Sequence, residues 1–421
     1  VLAAVREVTD VAPRIALAAP TGKAASRLQE AVHAAGAGLP EEEFLRGLEA
    51  TTLHRLLGLR RGTTRSWHDA ENRLPHDVVV VDEASMVSLS LFARLLAALR
   101  PGARLLLVGD PDQLASVEAG AVLADLVAPG GSRTPSLHAR LGVVAPQDDP
   151  GPVEPETPQA RVRAGVARLR TVYRYDEGSA IDDLAEAVRA GDPDAVLAVL
   201  RSGDPAVAFD ELPDDAPVAG PALAALRELV LEQASVLVQA ASVGDAARAL
   251  AGLDTHRLLC AHREGPRGVE HWTRTVQRWV VEALGVQPRR DGRYAGLPLL
   301  VTANDVDNRL YNGDSGVVCG RGEDLVAVFA RGGDPYEVPL GRLSEVRPLH
   351  ALTVHRSQGS QFSRVTVLLP AASSPLGTRE TLYTAVTRAA HGVRVVGSEE
   401  AVRAAVLRPV ARATGLRARL A

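Results

Sequence analysis

The chain has 421 residues, of which 46% are hydrophobic and 23% are charged, the composition of a globular protein large enough for two or three domains. Its net charge of −4 argues against a nonspecific polycationic nucleic-acid binder, although a local arginine-lined groove needs only local charge. Cys260 and Cys319 form no CxxC pair, so they indicate neither a disulfide framework nor a zinc site. The sequence shows no signal peptide and no long apolar run, and we expect a cytoplasmic protein with no membrane contact.

The first predicted strand, residues 14–19, leads through Pro20 to a helix from Lys23 to about residue 35. Thr21 and Lys23 could contact a phosphate at the N-terminus of this helix, but an ordinary capped helix accounts for the same residues. Residues 41–59 are predicted to be helical and contain His54, which in isolation is more often structural than functional. Residues 60–77 are predicted to form a hairpin insert or an irregular loop.

The strongest local pattern consists of two strand ends about thirty residues apart. Residues 78–81 are four valines that run into Asp82 and Glu83, and the predicted strand 104–108 runs into a loop that contains Gln113. Such continuous apolar runs are typical of parallel strands buried on both faces, where ligands bind at the carboxyl ends. Asp82 is then placed to hold Mg²⁺, Glu83 to deprotonate a water, and Gln113 to reach a terminal phosphate. The alternative is two buried strands that end in polar loops.

A complete phosphate-binding loop is missing from these 421 residues. The pattern GxxxxGK[ST] supplies backbone N–H groups and a lysine for the phosphates and a hydroxyl for Mg²⁺. At its one candidate place, Leu17 occupies the first glycine position and Ala24 replaces the hydroxyl, and Lys23 is the only lysine in the chain. Since residues 1–8 resemble the end of a helix, we expect the loop to lie upstream of Val1.

The alternation of helices and strands predicts an α/β protein with two parallel-sheet domains. The first covers residues 1–127, with helices at 88–99 and 119–127, and a Pro/Gly/acid-rich linker follows at 128–160. The second covers residues 161–296 and 350–421, and short alternating strands at 297–349 predict a small β-barrel-like insertion within it. Its other predicted elements are helices at 181–190, 221–251, 269–283 and 379–389 and strands at 257–261, 364–369 and 393–396.

The second domain contains further polar residues that could bind a nucleotide or DNA. Arg174 precedes an amphipathic helix and, in isolation, is better explained as a solvated charge. Ser357, Gln358 and Gly359 form a tight glycine turn after His355, and its small polar donors suit a phosphodiester backbone or a ribose. Arg388, near the end of helix 379–389, could project to a γ-phosphate as an arginine finger. Its alternative is a surface salt bridge worth at most ~1 kcal/mol.

In this order, the motifs resemble those of superfamily 1 helicases, and in detail the RecD family. The resemblance spans nearly the whole chain and rests on these segments: 14–28, 51–58, 73–87, 109–126, 258–269, 311–318, 352–362 and 380–389. It implies two RecA-like P-loop NTPase domains, with an SH3-like barrel inserted in the second, that hydrolyse ATP with Mg²⁺ and move 5′→3′ on single-stranded DNA. It also implies RecB and RecC as partners in a complex that processes double-strand breaks.

The resemblance also implies roles for individual residues. Asp82 would hold Mg²⁺ and Glu83 would be the catalytic base, while nucleotide contacts would come from Gln113, Arg174, Gly359 and Arg388. The DNA path would be lined by Pro20, Thr21, Lys23, His54, Asn312, Thr353, His355, Ser357 and Gln358. Without the phosphate-binding loop, these 421 residues alone are expected to hydrolyse ATP negligibly.

Three other functions compete with this one. The chain could be a nonenzymatic RecD-like scaffold, although the intact DEAS, GDPDQ and VTR elements argue against such decay. It could be a standalone RecD-like helicase or a relaxase-type helicase. A two-metal nuclease is rejected, because no cluster of carboxylates with a lysine is evident.

Overall fold

The computed structural model describes residues 13–39, 42–59, 65–116, 120–128, 134–135, 155, 157–169, 178–214, 216–305, 307–322, 324–331, 334–410, 416 and 419. The chain forms two compact units. The first comprises Val1–Pro20, Ala31–Val172 and Ala411–Ala421, and the second comprises Thr21–Glu30 and Tyr173–Val410. No helix in the described ranges is long and apolar enough to cross a membrane.

The first unit is built on a four-stranded parallel sheet with the order β2-β1-β3-β4. The strands are β1 (Ile15–Ala19), β2 (Ala50–Thr52), β3 (Val78–Val81) and β4 (Arg104–Leu107). All four valines of β3 are buried, as expected for the middle of a parallel sheet. The helices are α1 (Gly22–Gly36, whose first turns group with the second unit), α2 (Glu42–Arg46), α3 (Leu53–Leu56), α4 (Leu89–Ala98), α5 (Val122–Val127) and α6 (Pro158–Ala164).

The predicted helix over residues 41–59 is wrong, because strand β2 interrupts it. Ala50, Thr51 and Thr52 pair in parallel with Leu17, Ala18 and Ala19 of β1. Threonine is β-branched and favours extended backbone. Thr52 then begins α3, since its hydroxyl accepts a hydrogen bond from the Arg55 backbone N–H at 3.2 Å. Residues 65–77, the described part of the predicted hairpin or loop, are irregular.

The second unit contains a five-stranded parallel sheet with the order β12-β6-β13-β14-β5. Its strands are β5 (Val207–Glu211), β6 (His256–Cys260), β12 (Ala351–Thr353), β13 (Phe362–Leu368) and β14 (Ala389–Gly397). Its helices are α7 (Ala180–Ala190), α8 (Pro193–Leu200), α9 (Gly220–Ser242), α10 (Ala246–Gly252), α11 (Val269–Leu284), α12 (Arg379–Val386) and α13 (Glu399–Leu407). The sequence predicted β6, β13 and β14 but missed β5, α8 and α13.

The predicted helix over residues 379–389 is too long at its C-terminus. Helix α12 ends at Val386, and Ala389 already begins β14. The Thr387 hydroxyl donates to the Tyr383 carbonyl at 2.9 Å, which satisfies a carbonyl of the last turn. Arg388 therefore lies in the tight connection between helix and strand.

A separate antiparallel sheet forms the predicted insertion, with the order β10-β9-β8-β7-β11. Its strands are β7 (Pro298–Val301), β8 (Ser315–Arg321), β9 (Asp324–Arg331), β10 (Asp334–Pro339) and β11 (Val346–Pro348). The short strands predicted for this segment are confirmed as an antiparallel sheet, whereas the barrel-like form and the likeness to an SH3 barrel stay predictions. Cys260 and Cys319 are both buried and free.

Candidate functional site

The two strand ends singled out in the sequence lie side by side in the first unit. Strands β3 and β4 are neighbours, and Val81 is in register with Leu107. Because the strands are parallel, Asp82 and the loop that begins at Val108 leave the same edge of the sheet. The Ala84 backbone N–H donates to the Val108 carbonyl at 2.9 Å, which joins the two loops.

Gly109 allows these two loops to approach closely. A Cβ atom at this position would lie 2.9 Å from the backbone nitrogen of Ala84 and 3.2 Å from that of Ser85. Real Cβ contacts of 2.9 Å essentially never occur, so any other residue would push the loops apart. The glycine of the GDPDQ segment therefore fixes the spacing between the Asp82 loop and the Gln113 loop.

Asp82 is a partly buried carboxylate at the end of β3. Burial raises its pKa above the ordinary 3.8, and a hydrogen bond from the Glu83 backbone N–H opposes this rise. A carboxylate that has lost part of its hydration gains more from a nearby cation than an exposed one does. Asp82 therefore suits a magnesium ion, which is usually held by one or two carboxylates together with substrate phosphates.

Glu83 has a left-handed backbone, with φ of 50° and ψ of 40°. Apart from glycines, only Glu83 and Arg309 have positive φ in the part of the chain that the structure describes. Such a conformation is strained for a residue with a Cβ atom, and strain of this kind concentrates at functional sites. It aims the Glu83 side chain away from the direction that a continued strand would give it.

Gln113 is held in place by the loop that carries it. Its side chain is 7% exposed, and Nε2 donates to Oδ2 of Asp110 at 3.0 Å. The other carboxylate oxygen of Asp110 accepts the Asp112 backbone N–H at 3.0 Å. Asp110 therefore orients Gln113, a positioning role that the sequence analysis did not assign.

Ser85 is a second residue that the sequence analysis missed. It is 4% exposed, and its hydroxyl has no hydrogen-bond partner within the described structure. Buried hydroxyl groups are normally hydrogen-bonded. The signal available in the sequence was its place in the DEAS segment, two residues after Glu83.

The predicted DNA-binding residues after β1 lie at the start of α1. Pro20 is partly exposed, and the Thr21 hydroxyl accepts the Ala24 backbone N–H at 3.2 Å, so Thr21 caps the helix. Lys23 has its pKa lowered to about 8, chiefly by burial and then by the charge of Arg27. A lysine with so low a pKa gains from an anionic ligand, which would restore its full charge.

Asn312 lies in a turn of the antiparallel sheet that is close to Lys23. A Cβ atom on Gly313 would lie 4.0 Å from the Lys23 Cβ, and one on Gly22 would meet the Tyr311 Cβ at 2.8 Å. The Asn312 side chain is exposed, and its backbone N–H donates to Oδ1 of Asn304 at 2.8 Å. Within the second unit the structure therefore brings Thr21, Lys23 and Asn312 together.

The glycine turn after β12 is mostly buried. Thr353 caps a short 3₁₀ helix (Val354–Ser357) by accepting the Arg356 backbone N–H at 3.3 Å. Ser357 is fully buried and donates to the Val354 carbonyl at 2.7 Å, and Gln358 is 7% exposed. His355 is partly buried, and Gly359 has a φ of 70°. Ser357 therefore stabilises the turn through its own hydrogen bond.

Arg388 does not project from a helix end, contrary to the sequence-based prediction. It is 2% exposed, its Nε donates to the Thr384 carbonyl at 3.2 Å, and its Nη1 donates to the Ser360 carbonyl at 3.2 Å. These hydrogen bonds connect the end of α12 to the turn that contains Gly359. Arg174 lies outside the described residues. His54 is exposed on α3, which belongs to the first unit, whereas Thr21, Lys23 and Asn312 belong to the second.

Comparison with known proteins identifies the family. Residues 1–119 match an AAA domain and residues 348–396 match a UvrD-like helicase C-terminal domain. The RecBCD enzyme subunit RecD of Mycobacterium tuberculosis (strain ATCC 25618 / H37Rv) is 53% identical over 410 residues, covering 97% of this chain and 64% of that protein. The chain belongs to the RecD family.

More distant RecD proteins match as well. The RecBCD enzyme subunit RecD of Haemophilus influenzae is 31% identical over 99% of this chain and 66% of its own length. The ATP-dependent RecD2 DNA helicase of Deinococcus radiodurans is 30% identical over 94% of this chain and 44% of its own length. This RecD-family chain thus spans about two thirds or less of the length of these relatives.

Among solved structures, a Bacteroides Pif1 bound to single-stranded DNA aligns with a TM-score of 0.44 at 15% identity. The alignment covers 94% of this chain and 84% of that one. At this TM-score the likeness adds nothing to the family assignment, which rests on the RecD sequences.

Proposed function

We propose that this RecD-family protein is the ATP-dependent, 5′→3′ DNA helicase subunit of a RecBCD-type complex that acts in double-strand-break repair and recombination. The observation that carries the proposal is the pair of joined loops at the ends of β3 and β4. They hold a desolvated carboxylate, a strained glutamate and an oriented glutamine at one edge of a parallel sheet. That edge is where ligands bind in such sheets.

Each of these three side chains has a task in ATP hydrolysis. Asp82 would hold the magnesium ion, which neutralises charge on the nucleotide phosphates when bound. Glu83 would orient the attacking water and accept its proton, and its left-handed backbone aims the carboxylate. Gln113, fixed by Asp110, would hydrogen-bond the terminal phosphate.

Arg174 is proposed to sense the γ-phosphate together with Gln113, Arg388 is proposed to act as the arginine finger, and Gly359 is proposed to contact the nucleotide. The buried position of Arg388 suits a side chain that is preorganised by main-chain carbonyls. The grouping of Thr21, Lys23 and Asn312 supports a shared DNA-binding role for these residues. The same role is proposed for Pro20, His54, Thr353, His355, Ser357 and Gln358.

The main alternative is a nonenzymatic RecD-like scaffold subunit. Such a chain would have no use for a strained backbone at Glu83 or for a desolvated carboxylate at Asp82, since both features cost stability. A standalone or relaxase-type helicase would share the site and differ only in its partners.

The decisive experiment measures unwinding by the native gene product, assembled with RecB and RecC, on duplexes that carry a 5′ or a 3′ single-stranded tail. We expect Asp82→Asn to abolish the unwinding that depends on the 5′ tail, while Glu43→Gln, an exposed carboxylate of the same unit, leaves it intact. Equal unwinding by the two variants would favour the scaffold. Residues 1–421 expressed alone should hydrolyse ATP negligibly, and hydrolysis at the rate of an intact helicase would contradict that expectation.

Sequencing the reading frame upstream of Val1 tests the same proposal. A GxxxxGK[ST] segment that follows a strand and opens a helix would supply the phosphate-binding loop that a working motor needs. A start codon close to Val1 with no such segment would favour the hypothesis of a nonenzymatic scaffold.

A further inference from the structure

Trp67 differs from the other two tryptophans of this chain in its exposure to solvent. It is 68% exposed, whereas Trp272 and Trp279 are 2% and 7% exposed in the core of the second unit. A buried tryptophan contributes more to stability than any other side chain because of its apolar area, and most of that contribution is lost at 68% exposure. Most of the aromatic surface of Trp67 is therefore exposed to solvent and contributes little to the stability of the first unit.

The backbone around Trp67 is fixed by hydrogen bonds even though its indole is exposed. The Trp67 carbonyl accepts Nδ2 of Asn72 at 2.8 Å, and the next N–H, that of His68, donates to the Leu57 carbonyl at 3.1 Å. The Asp69 carboxylate accepts the backbone N–H groups of Glu71 and Asn72, both at 2.9 Å. The backbone that carries the ring is thus ordered, so a ligand would not have to order this turn.

The underside of Trp67 packs against a glycine. Gly58 has a φ of 65°, and a Cβ atom there would lie 2.5 Å from the Trp67 Cβ. A side chain at position 58 would displace Trp67, so the close approach of the two backbones depends on this glycine. The turn therefore packs closely against the segment that follows α3.

The segments around Trp67 expose basic side chains. The turn is tied to the end of α3 through Leu57, and α3 exposes His54 and Arg55. Arg65 is exposed two residues before Trp67. Of the nearby acids, Asp69 accepts backbone hydrogen bonds within the turn through its carboxylate, whereas Glu71 is exposed. An exposed aromatic ring flanked by arginines is the arrangement that binds single-stranded nucleic acid, by base stacking and phosphate contact.

We propose that Trp67 stacks on an unpaired base of single-stranded DNA, while Arg55 and Arg65 contact the flanking phosphates. This site rests on the proposed function and adds a base-stacking contact to it. Bases in a duplex are already stacked on their neighbours and cannot stack on an indole. Only a base of a separated strand can therefore stack on Trp67. The contact is insensitive to sequence, because every base has a π-face.

The other two tryptophans make the test direct. Because Trp272 and Trp279 are buried, collisional quenchers and bound bases reach Trp67 alone. We expect oligo(dT) to quench the intrinsic fluorescence of the chain, and the same oligonucleotide with abasic residues to bind without quenching. This measurement needs no ATP hydrolysis. It is made on the native gene product, and Trp67→Leu identifies the part of the signal that comes from Trp67.

Variants separate stacking from charge. Trp67→Leu keeps apolar volume but has no π-face, and we expect its Kd for oligo(dT) to rise on the order of tenfold. Trp67→Phe should recover most of the affinity, and both variants should bind the abasic oligonucleotide as tightly as the parent does. Leu96→Ala, at an exposed apolar position of the same unit, is the matched control and should bind like the parent. Arg55→Gln should reduce the salt dependence of log K by about 0.7, which Trp67→Leu should not.

The outcomes distinguish this site from the proposed function. If the parent binds oligo(dT) and Trp67→Leu binds it equally well, the stacking contact is wrong and the DNA-binding function stands. If Trp67→Leu weakens association with RecB or RecC but not with DNA, Trp67 belongs to a protein interface and the proposal is overturned. If the parent binds no single-stranded DNA, both proposals fail. Circular dichroism checks that each variant is folded.

Discussion

The two parallel sheets of this RecD-family protein place their polar motif residues in different environments. In the first unit, Asp82 and Glu83 follow a buried strand directly, and they are partly exposed, desolvated or strained. In the second unit, Ser357 and Arg388 are almost completely buried, and their polar atoms donate to main-chain carbonyls. The polar residues at the edge of the first sheet lower the stability of the fold, which is typical of residues kept for catalysis. The polar residues at the edge of the second sheet also stabilise turns.

This difference predicts opposite effects of substitution on stability. Removing a polar group from the first edge should leave the fold unchanged or make it more stable. Removing one from the second should weaken the fold, because buried carbonyl oxygens would lose their partners. Activity should fall in both cases if both edges serve ATP hydrolysis.

The largest effect is expected for Arg388→Ala. If Arg388 acts as the proposed arginine finger, its loss should reduce hydrolysis by ~10³- to 10⁵-fold. Stability should fall by about 2–4 kcal/mol, since the carbonyls of Ser360 and Thr384 lose a charged donor. ATPase assays and denaturant titrations of the native gene product measure both quantities.

Arg388→Lys and Arg364→Ala are the controls for that experiment. The lysine keeps the charge but not the planar fork, so it should recover part of the stability and little of the activity. Arg364 is exposed on β13, and its loss should change neither quantity. Normal hydrolysis by Arg388→Ala would show that Arg388 is purely structural.

The next largest effect is expected for Asp82→Asn, which removes the proposed magnesium ligand. Hydrolysis should fall by at least ~10²-fold, because a bound metal contributes several kcal/mol of charge stabilisation. Stability at neutral pH should rise, because burial raises the pKa of Asp82 in the fold above its ordinary 3.8.

The pH dependence of this gain has a definite sign. Between the two pKa values the folded state binds more protons than the unfolded state, so the fold loses stability as pH rises through that window. The melting temperature of Asp82→Asn should therefore exceed that of the parent at pH 7 and equal it below about pH 3.8. Glu43→Gln serves as the control, and a lower melting temperature for Asp82→Asn at pH 7 would contradict the desolvation of Asp82.

Two buried histidines should make the second unit sensitive to acid. Burial, with the charge of Arg257, lowers the pKa of His350 to about 3, and the pKa of His256 is also lowered to about 3. The folded pKa lies below the ordinary 6.5, so stability is fully present above pH 6.5 and is lost as pH falls toward 3. Each histidine contributes a slope of up to about 1.4 kcal/mol per pH unit in this window.

His350→Gln separates this effect from general acid unfolding. Glutamine does not titrate and can still hydrogen-bond the Tyr294 hydroxyl, which lies 3.3 Å from Nε2 of His350. Denaturant titrations between pH 7 and 4, followed by the emission of Trp272 and Trp279, should show a shallower loss of stability than in the parent. An unchanged slope would mean that His350 is not desolvated.

Much of the first edge could be predicted from sequence, because its signals are local. Four consecutive valines followed by Asp82 and Glu83 indicate a buried strand and the end at which a ligand is proposed to bind, without any distant contact. Strand β2 was missed because three residues are too few to show a period, and its pairing with β1 is a tertiary contact.

The burial of Arg388 could not be predicted, because it depends on a carbonyl 28 positions earlier in the chain. The strain at Glu83 was missed for a similar reason. The hydrogen bond from Ala84 to Val108 and the approach of Gly109 set that turn, and both come from the neighbouring strand. Local sequence therefore identifies which residues could act, while their orientation and desolvation come from packing.

The smallest effect tests the backbone of Glu83 itself. A left-handed backbone costs a residue with a Cβ atom about 1 kcal/mol relative to glycine. Glu83→Gly should therefore be more stable than Glu83→Ala by about that amount, although glycine is more flexible in the unfolded chain. At Glu43, which is exposed in helix α2, the order should reverse, with Ala more stable than Gly by about 1 kcal/mol. Denaturant titrations of the four variants measure both differences. If Ala were the more stable residue at position 83 as well, the turn after β3 would not be left-handed, and the strain assigned to the proposed catalytic base would be absent.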